Sequence, residues 1–307
     1  MHTKIVSLLP AATEIVCALG LEKNLVGRSH ECDFPESVKQ LPVCSEANFP
    51  DGLSSSAIDV KVKEILADAL SVYTVNREQV KQLAPDLVIT QAQCEVCAVS
   101  LTEVEQALEN YLDKEACIIS LQPNSLNDIF NDIKTIATAL NVIQKGDALL
   151  EELNERVDII RHKLKFSESK PTVACIEWLE PMMLSGNWIP GLVNIAGGVS
   201  IIAEQGKHSP YINWEDIRLN DPEILIVMPC GFPIERTLKE IDLLLQLPGF
   251  TELRAVKNNR VYIADGNQYF NRPGPRIVDS IEILAEIIHP KQFIFGYEGE
   301  GWIKFAL

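Results

Sequence analysis

The chain of 307 residues has few cationic side chains, few aromatic ones and no long apolar run. Lys and Arg number 27 against 43 Asp and Glu, and the net charge of −16 disfavours a surface for nucleic acids or anionic membranes. No window approaches the roughly 20 apolar residues of a membrane-spanning helix. The glycine-rich nucleotide-binding loops and the nucleophile elbow of α/β-hydrolases are also missing from the sequence. These absences disfavour DNA-binding proteins, integral membrane proteins and nucleotide-dependent enzymes.

The first residues and the cysteine pattern bear on the compartment of the protein. Ile5–Leu9 is a short apolar run that resembles a β-strand more than the hydrophobic region of a signal peptide. Eight cysteines at irregular positions do not resemble the disulfide framework of a small secreted protein. We therefore expect a cytoplasmic protein.

Short apolar runs alternate with helical patterns in both halves of the chain, which predicts βαβ units with mainly parallel sheets. At this length two lobes are expected rather than one core. Apolar residues recur at three- and four-residue steps over 125–166, which predicts one helix of about 40 residues, or two helices with a break near 141–146. We assign 1–122 to an N-terminal α/β lobe, 123–167 to a long linking helix and 168–307 to a C-terminal α/β lobe.

Cys94 and Cys97 follow the predicted strand Leu87–Thr90 directly, where an open α/β sheet binds its ligands. Such a pair is typical of zinc or iron–sulfur binding or of dithiol chemistry, but it supplies only two of the four ligands that a metal site generally needs. Two packed thiols are the alternative. Because Cys32 and Cys230 also follow predicted strands, we expect a metal-binding cluster of Cys32, Cys94, Cys97 and Cys230.

Polar side chains also follow the second predicted strand, 24–27. His30, Glu31 and Cys32 carry the imidazole, carboxylate and thiolate groups that bind zinc. A solvated loop in which His30 and Asp33 cap the local backbone is the alternative.

Several aromatic side chains lie in predicted loops of the C-terminal half. Flat and rigid rings suit a large planar ligand through burial and stacking, although Trp and Tyr also cover the edges of a lobe. The predicted ligand-binding residues are Pro10, His30, Glu31, Gln91, Trp178, Trp188, Tyr211, Trp214, Phe232, Gln268, Tyr269 and Arg272.

Five segments stand in the order found in one known family: Val6–Glu14, Leu25–Ser29, Leu83–Ile89, Leu219–Val227 and Arg272–Ile277. Together they resemble the substrate-binding proteins of ABC transporters for vitamin B12 and iron–siderophores, and the similarity is strongest to the cobalamin-binding branch.

The resemblance implies two Rossmann-like lobes joined by a single long helix, with a ligand cleft between the lobes. It implies a corrinoid or another metal chelate as the ligand, with His30 as an axial ligand of cobalt instead of a zinc ligand. It further implies an ABC permease as partner, which Glu78 and Glu235 would contact. Ser54–Asn76 resembles an insertion relative to the exported members.

We therefore expect a cytoplasmic binding protein for cobalamin or another metal chelate. The alternative is a metal- or thiol-dependent enzyme that uses a cysteine cluster in the cleft, for which Cys94→Ser would abolish activity without unfolding the chain.

Overall fold

The structure is a computed structural model that describes residues 3–50, 52–67, 73–91, 116–167 and 169–306. Its contacts divide the chain into two compact units. The first unit comprises Met1–Leu53, Ala57–Pro123 and Asn127–Glu151, and the second comprises Ser54–Ser56, Asn124–Leu126 and Glu152–Leu307.

A parallel sheet forms the centre of the first unit. The strands of this unit are β1 (Ile5–Ser7), β2 (Leu25–Arg28), β3 (Ser45–Ala47), β4 (Tyr73–Val75), β5 (Leu87–Gln91) and β6 (Cys117–Leu121). The sheet has the order β2–β1–β5–β6 with all neighbours parallel, whereas β3 and β4 form a separate antiparallel pair. Ile5, Val6 and Ile89 are fully buried, as expected for strands that are covered on both faces.

The first half of the chain contributes five α-helices within the described residues. They are α1 (Pro10–Ala18), α2 (Ser55–Ala67), α3 (Arg77–Leu83), α4 (Leu126–Ala139) and α5 (Ile143–Leu164). Pro10 begins α1, a position where the missing N–H of proline costs nothing. The side chain of Asn76 accepts the N–H of Gln79 and caps α3.

The predicted 40-residue helix is two helices, so the prediction of one uninterrupted helix over 125–166 is wrong and the alternative with a break is correct. Asn141 has a φ of +56°, in the left-handed region that ends helices. A Cβ added to Gly146 would lie 2.6 Å from the Cβ of Ala137, so glycine lets α5 begin close against α4. The helix that continues from the first unit into the second is therefore α5, with 22 residues.

The second unit contains a mainly parallel sheet. Its strands are β7 (Thr172–Trp178), β8 (Met183–Leu184), β9 (Val199–Ser200), β10 (Ile224–Val227), β11 (Val261–Ala264) and β12 (Trp302–Lys304). The order is β12–β11–β10–β7–β8, with β9 beside β7; β8 and β12 are antiparallel to their neighbours and the other pairs are parallel. The predicted fold class, α/β with mainly parallel sheets, is confirmed.

Short helices surround this sheet. They are α6 (Ile189–Ile195), α7 (Trp214–Asn220), α8 (Ile234–Leu238), α9 (Asp242–Leu245), α10 (Arg254–Lys257) and α11 (Ile277–Ile288), and a π-helical turn spans Gly266–Phe270. Helix α11 is buried along its whole length.

The C-terminal segment, which has no recognisable pattern in the sequence, is held by a buried carboxylate. Glu286 on α11 accepts the main-chain N–H groups of Phe295, Gly296 and Tyr297 and the Nε1–H of Trp302. Glu286 is 4% exposed, and it anchors the segment that leads into β12. One side chain therefore replaces the regular hydrogen bonding that the loop lacks.

An ion-pair network lies one turn away on the same helix. Arg156 of α5 donates to Glu282 at 2.9 and 2.6 Å and to Asp279 at 2.5 Å. The hydroxyl of Tyr297 donates to Glu282 at 2.9 Å. All four residues belong to the second unit, so the network fixes the last turns of α5 to α11 within that unit.

Within the described ranges, no helix is both long enough and apolar enough to cross a membrane.

Candidate functional site

In each unit, the loops that follow the carboxyl ends of the parallel strands carry most of the predicted binding residues. This is the edge at which open α/β sheets bind ligands.

In the first unit, an imidazole and a carboxylate follow β2, and a phenol from β4 lies beside them. The Nδ1 atom of His30 lies 2.9 Å from the Oγ atom of Ser45, and the main-chain N–H of His30 donates to the same oxygen at 3.3 Å. The ring centroids of His30 and Tyr73 are 5.1 Å apart, and the Tyr73 hydroxyl donates to Glu31 at 3.0 Å. Ser45 and Tyr73 thus orient the imidazole, as hydrogen-bonding neighbours do for a histidine that binds a metal.

Behind this group lies a small network of hydroxyl and thiol groups. Thr13 Oγ1 lies 2.8 Å from Ser7 Oγ and 3.1 Å from Cys32 Sγ. Cys32 is 1% exposed. Its thiol is therefore enclosed in the interior of the first unit, and its role as a metal ligand stays a prediction.

The predicted cysteine cluster has no support in the part of the chain that the structure describes. Cys94 and Cys97 lie outside the described residues. Cys230 belongs to the second unit, where its main-chain N–H donates to the carbonyl of Glu177 at 3.1 Å. No group of three or more His, Cys, Asp and Glu side chains that could hold a metal ion occurs among the described residues.

Other thiols of the chain are shifted away from reactivity. Burial raises the pKa of Cys17 and of Cys175 to about 12, and that of Cys44 to about 11. Nucleophilic and metal-binding cysteines need the opposite shift, since the thiolate is the reactive form.

The second unit contains an aromatic group that we call the Trp178 cluster, made of Ser55, Trp178, Phe232, Arg236 and Glu240, in which Trp178 is half-buried and Phe232 is 6% exposed. The rings of Trp178 and Phe232 have centroids 5.2 Å apart, and the guanidinium of Arg236 lies 4.5 Å above the Phe232 ring. Arg236 pairs with Glu240 at 2.6 Å. Trp178 ends β7 and Phe232 follows β10, so the cluster stands at the carboxyl ends of two adjacent parallel strands.

The charge of Glu240 is stabilised by its neighbours. Burial alone would raise the pKa of Glu240, but hydrogen bonds from Ser55 and the ion pair with Arg236 outweigh burial and lower it. The carboxylate accepts the main-chain N–H of Ser55, the first residue of α2, at 3.1 and 3.2 Å. A carboxylate at this position also interacts favourably with the helix dipole.

A second polar group in this unit follows β11. The π-helical turn begins at Gly266, where a Cβ would lie 2.1 Å from the carbonyl oxygen of Pro229. The turn is capped by Asp265 and displays Gln268, whose side-chain oxygen accepts a hydrogen bond from Arg276 at 3.1 Å. Arg276 also lies 5.5 Å above the Tyr269 ring. Only glycine allows the turn to pack this closely against the loop after β10.

Several predicted ligand-binding residues have roles inside the second unit instead. Trp188 is 6% exposed, and its Nε1–H donates to the carbonyl of Phe270. Trp214 packs against Phe250, and its Nε1–H donates to the carbonyl of Pro248. These two tryptophans cover the core of the second unit. This is the alternative role for aromatic residues in loops, the covering of a lobe.

The remaining predicted residues are divided between surface and interior. Tyr211 is 57% exposed and pairs with Met183 in a short β-bridge. Arg272 is 4% exposed and donates to Asn267. Pro10 and Gln91 are half-buried, at the start of α1 and the end of β5.

The sequence-based prediction missed Ser45 and Tyr73 in the first unit and Ser55, Arg236 and Glu240 in the second. Arg236 and Glu240 had a recognisable signal, because opposite charges four residues apart lie side by side on one face of a helical turn. Tyr73 and Ser55 lie in the segment that resembles an insertion, Ser54–Asn76. The family pattern does not include this segment, so it could not predict their roles.

Two mainly parallel α/β units with polar and aromatic residues at their carboxyl edges define the class of protein. The chain matches the family model described as periplasmic binding protein over residues 5–267, and it belongs to that family.

The chain is similar over most of its length to several known proteins. It is 24% identical over 296 residues to the uncharacterized ABC transporter substrate-binding lipoprotein YvrC of Bacillus subtilis, covering 94% of this chain and 81% of the relative. It is 24% identical to a vitamin B12-binding protein of Vibrio parahaemolyticus, with coverages of 92% and 88%. The crystal structure of the periplasmic vitamin B12 binding protein BtuF of Vibrio cholerae superposes with a TM-score of 0.67 at 20% identity, over 93% of this chain and 96% of that one.

Proteins with other ligands share this fold. The crystal structure of Staphylococcus aureus IsdE complexed with heme has a TM-score of 0.70 at 19% identity, over 94% of this chain and all of that one. The fold is therefore common to binding proteins for at least two metal-containing macrocycles.

Proposed function

We propose that the chain binds a corrinoid, or a related metal-containing macrocycle, as the ligand-binding component of an ABC transport system. Membership of the periplasmic binding protein family supports a small-molecule ligand. Relatives that bind vitamin B12 or heme support a large and partly planar one.

The observation that carries the proposal is the Trp178 cluster. Trp178 is half-buried at the end of β7, beside Phe232 and the Arg236 guanidinium. The half-buried Trp178 ring, packed on the buried Phe232 ring, offers apolar area for a macrocycle, and the nearby Arg236 offers a positive charge for its acidic side groups. His30, Glu31 and Tyr73 form a polar group of the first unit that is proposed separately as a ligand contact.

A permease is the proposed protein partner. Glu78 lies in the first turn of α3 and Glu235 in the first turn of α8, and both side chains are on exposed residues. The family resemblance assigns such glutamates to permease contact, and their exposure is compatible with that role. The cytoplasmic location remains a prediction.

The alternative enzyme function has no favourable observation among the described residues. A metal site is not found there, and Cys17, Cys44 and Cys175 have raised thiol pKa values. A zinc or iron–sulfur cofactor therefore does not enter the proposal.

A panel of ligands tests the proposed function. Purified protein is titrated with cyanocobalamin, hemin and a ferric siderophore, and binding is followed by the absorbance of each chromophore and by calorimetry. The proposal expects saturable 1:1 binding of a macrocycle with a Kd at or below about 1 μM. Binding of the siderophore alone would remove the macrocycle from the proposal, and binding of none of the three would contradict it.

Matched tryptophan variants connect binding to the cluster. Trp178→Ala should weaken macrocycle binding by about tenfold or more, because it removes most of the aromatic surface. Trp214→Ala, which removes a ring that packs on Phe250 in the same unit, should leave the affinity of the folded protein unchanged. Equal effects of the two substitutions would mean that the loss is structural.

A further inference from the structure

The Trp178 cluster closes on itself through five different contacts. The Trp178 Nε1–H donates to the carbonyl of Ser55 at 3.2 Å, and the Ser55 N–H donates to Glu240. Glu240 pairs with Arg236, Arg236 lies over the Phe232 ring, and Phe232 contacts Trp178. Each residue of the circle therefore contacts two others, Ser55 through its main chain and the other four through their side chains, and all five belong to the second unit.

Glu240 joins the two residues of this circle that contact the aromatic rings, Ser55 and Arg236. Its side chain is 10% exposed, and one carboxylate holds both the Ser55 main chain and the Arg236 guanidinium. Without it, Ser55 would lose the acceptor that fixes its carbonyl towards Trp178. Arg236 would lose the charge that holds it above Phe232.

We propose that Glu240 is a positioning residue for the aromatic surface, acting through Ser55 on Trp178 and directly on Arg236. The inference rests on the proposed function, since Trp178 is the ring assigned to the ligand and Phe232 packs behind it. A ring that is already oriented binds with a smaller loss of side-chain freedom, so this arrangement raises affinity without touching the ligand.

The four tryptophans of the chain provide a direct test of positioning. Each indole N–H donates to a different acceptor: Ser55 for Trp178, Phe270 for Trp188, Pro248 for Trp214 and Glu286 for Trp302. In a ¹⁵N–¹H spectrum of the full chain the four indole resonances are separate reporters, and Trp178→Phe identifies the one from Trp178. Glu240→Ala should shift the Trp178 resonance and leave the other three in place.

The same variant is then titrated with cyanocobalamin. Glu240→Ala should weaken binding by about tenfold, because Trp178 and Arg236 must be ordered at the expense of binding free energy. Glu252→Ala, an exposed glutamate of the same unit, is the control for the loss of one negative charge and should change neither readout.

A second substitution removes the hydrogen bond between Ser55 and Glu240 at its donor, the Ser55 N–H. Proline is well tolerated at the first position of a helix, so Ser55→Pro removes the N–H that Glu240 accepts while α2 can still begin there. It should reproduce the shifted Trp178 resonance and the weaker binding.

The outcomes separate the two proposals. If the wild-type protein does not bind cyanocobalamin, the corrinoid assignment fails, and the Trp178 resonance alone decides whether Glu240 positions the ring. An unmoved Trp178 resonance in both Glu240→Ala and Ser55→Pro would overturn the positioning role. If Glu240→Ala shifts the Trp178 resonance but binds cyanocobalamin as tightly as the wild type, the positioning by Glu240 does not contribute to binding.

Discussion

The two units differ in the chemistry of the polar groups that they bury. Among the described residues, the buried polar side chains of the first unit are hydroxyls apart from one carboxylate: Ser7, Thr13, Glu14, Ser29, Ser45 and Thr90. In the second unit they include four charged groups, Asp265, Arg272, Glu282 and Glu286.

The difference has an energetic meaning. A buried hydroxyl network loses about 1 kcal/mol when one hydrogen bond is removed. A buried charge without its partner costs several kcal/mol, because the charge keeps its desolvation penalty. We therefore expect the second unit to be the more sensitive to single substitutions, to pH and to salt.

The largest effect is expected from Arg156→Met. The substitution leaves the carboxylates of Glu282 and Asp279, with side chains 8% and 16% exposed, without their cation. We expect a loss of about 3–5 kcal/mol in the free energy of unfolding, measured by chemical denaturation. Arg161→Met removes an exposed ion pair on the same helix and should cost less than about 1 kcal/mol. Similar losses for both variants would show that the Arg156 network is no stronger than a surface pair.

Glu286→Gln should have the next largest effect. The variant keeps the shape of the side chain but replaces one acceptor oxygen with a donor, which faces N–H groups of residues 295–297 or the Trp302 indole. We expect a loss of about 2–3 kcal/mol, together with faster hydrogen exchange of the amides before β12. If Glu252→Gln, an exposed control in this unit, destabilises as much, the carboxylate is not the anchor of the C-terminal segment.

A smaller effect is expected in the first unit from Thr13→Val. The variant keeps the volume of the side chain and removes the hydroxyl that contacts Ser7 and Cys32. We expect a loss of about 1–2 kcal/mol, with Thr138→Val on an exposed helix face as the control. A loss as large as that of Arg156→Met would abolish the contrast between the two units.

The smallest effect concerns pH. Burial lowers the pKa of His289 below the ordinary histidine value, although its contact with the Gly197 carbonyl opposes this shift. The unfolded chain therefore binds the proton more readily, and stability falls as pH drops through the ordinary histidine range. His289→Gln should reduce this pH dependence between pH 7.5 and 5.5, whereas the exposed control His162→Gln should not. If the pH dependence of stability is unchanged in His289→Gln, it arises from other groups.

The fold was predictable because its signals are local and repeated. Buried parallel strands such as Ile5–Ser7 and Ile224–Val227 are continuous apolar runs, and the intervening helices show regular spacing. The apolar spacing of the sequence does not fix the break between α4 and α5. The break depends on one left-handed residue, Asn141, and on the close contact that Gly146 allows.

The candidate site was predictable only in part. The positions of His30, Trp178 and Phe232 after strands marked them as edge residues. The role of a tryptophan, however, depends on what its indole meets in three dimensions, and Trp178 and Trp188 look alike in the sequence. Only the structure shows that Trp188 donates to Phe270 in the core while Trp178 joins the cluster at the edge.

The most direct test of the central claim is calorimetric titration of cyanocobalamin into the wild-type protein, His30→Ala and Trp178→Ala. The account predicts 1:1 binding to the wild type at or below about 1 μM, a loss of about tenfold or more in Trp178→Ala and a smaller loss in His30→Ala. Wild-type protein that releases no heat of binding, or Trp178→Ala that binds as tightly as the wild type, would contradict it.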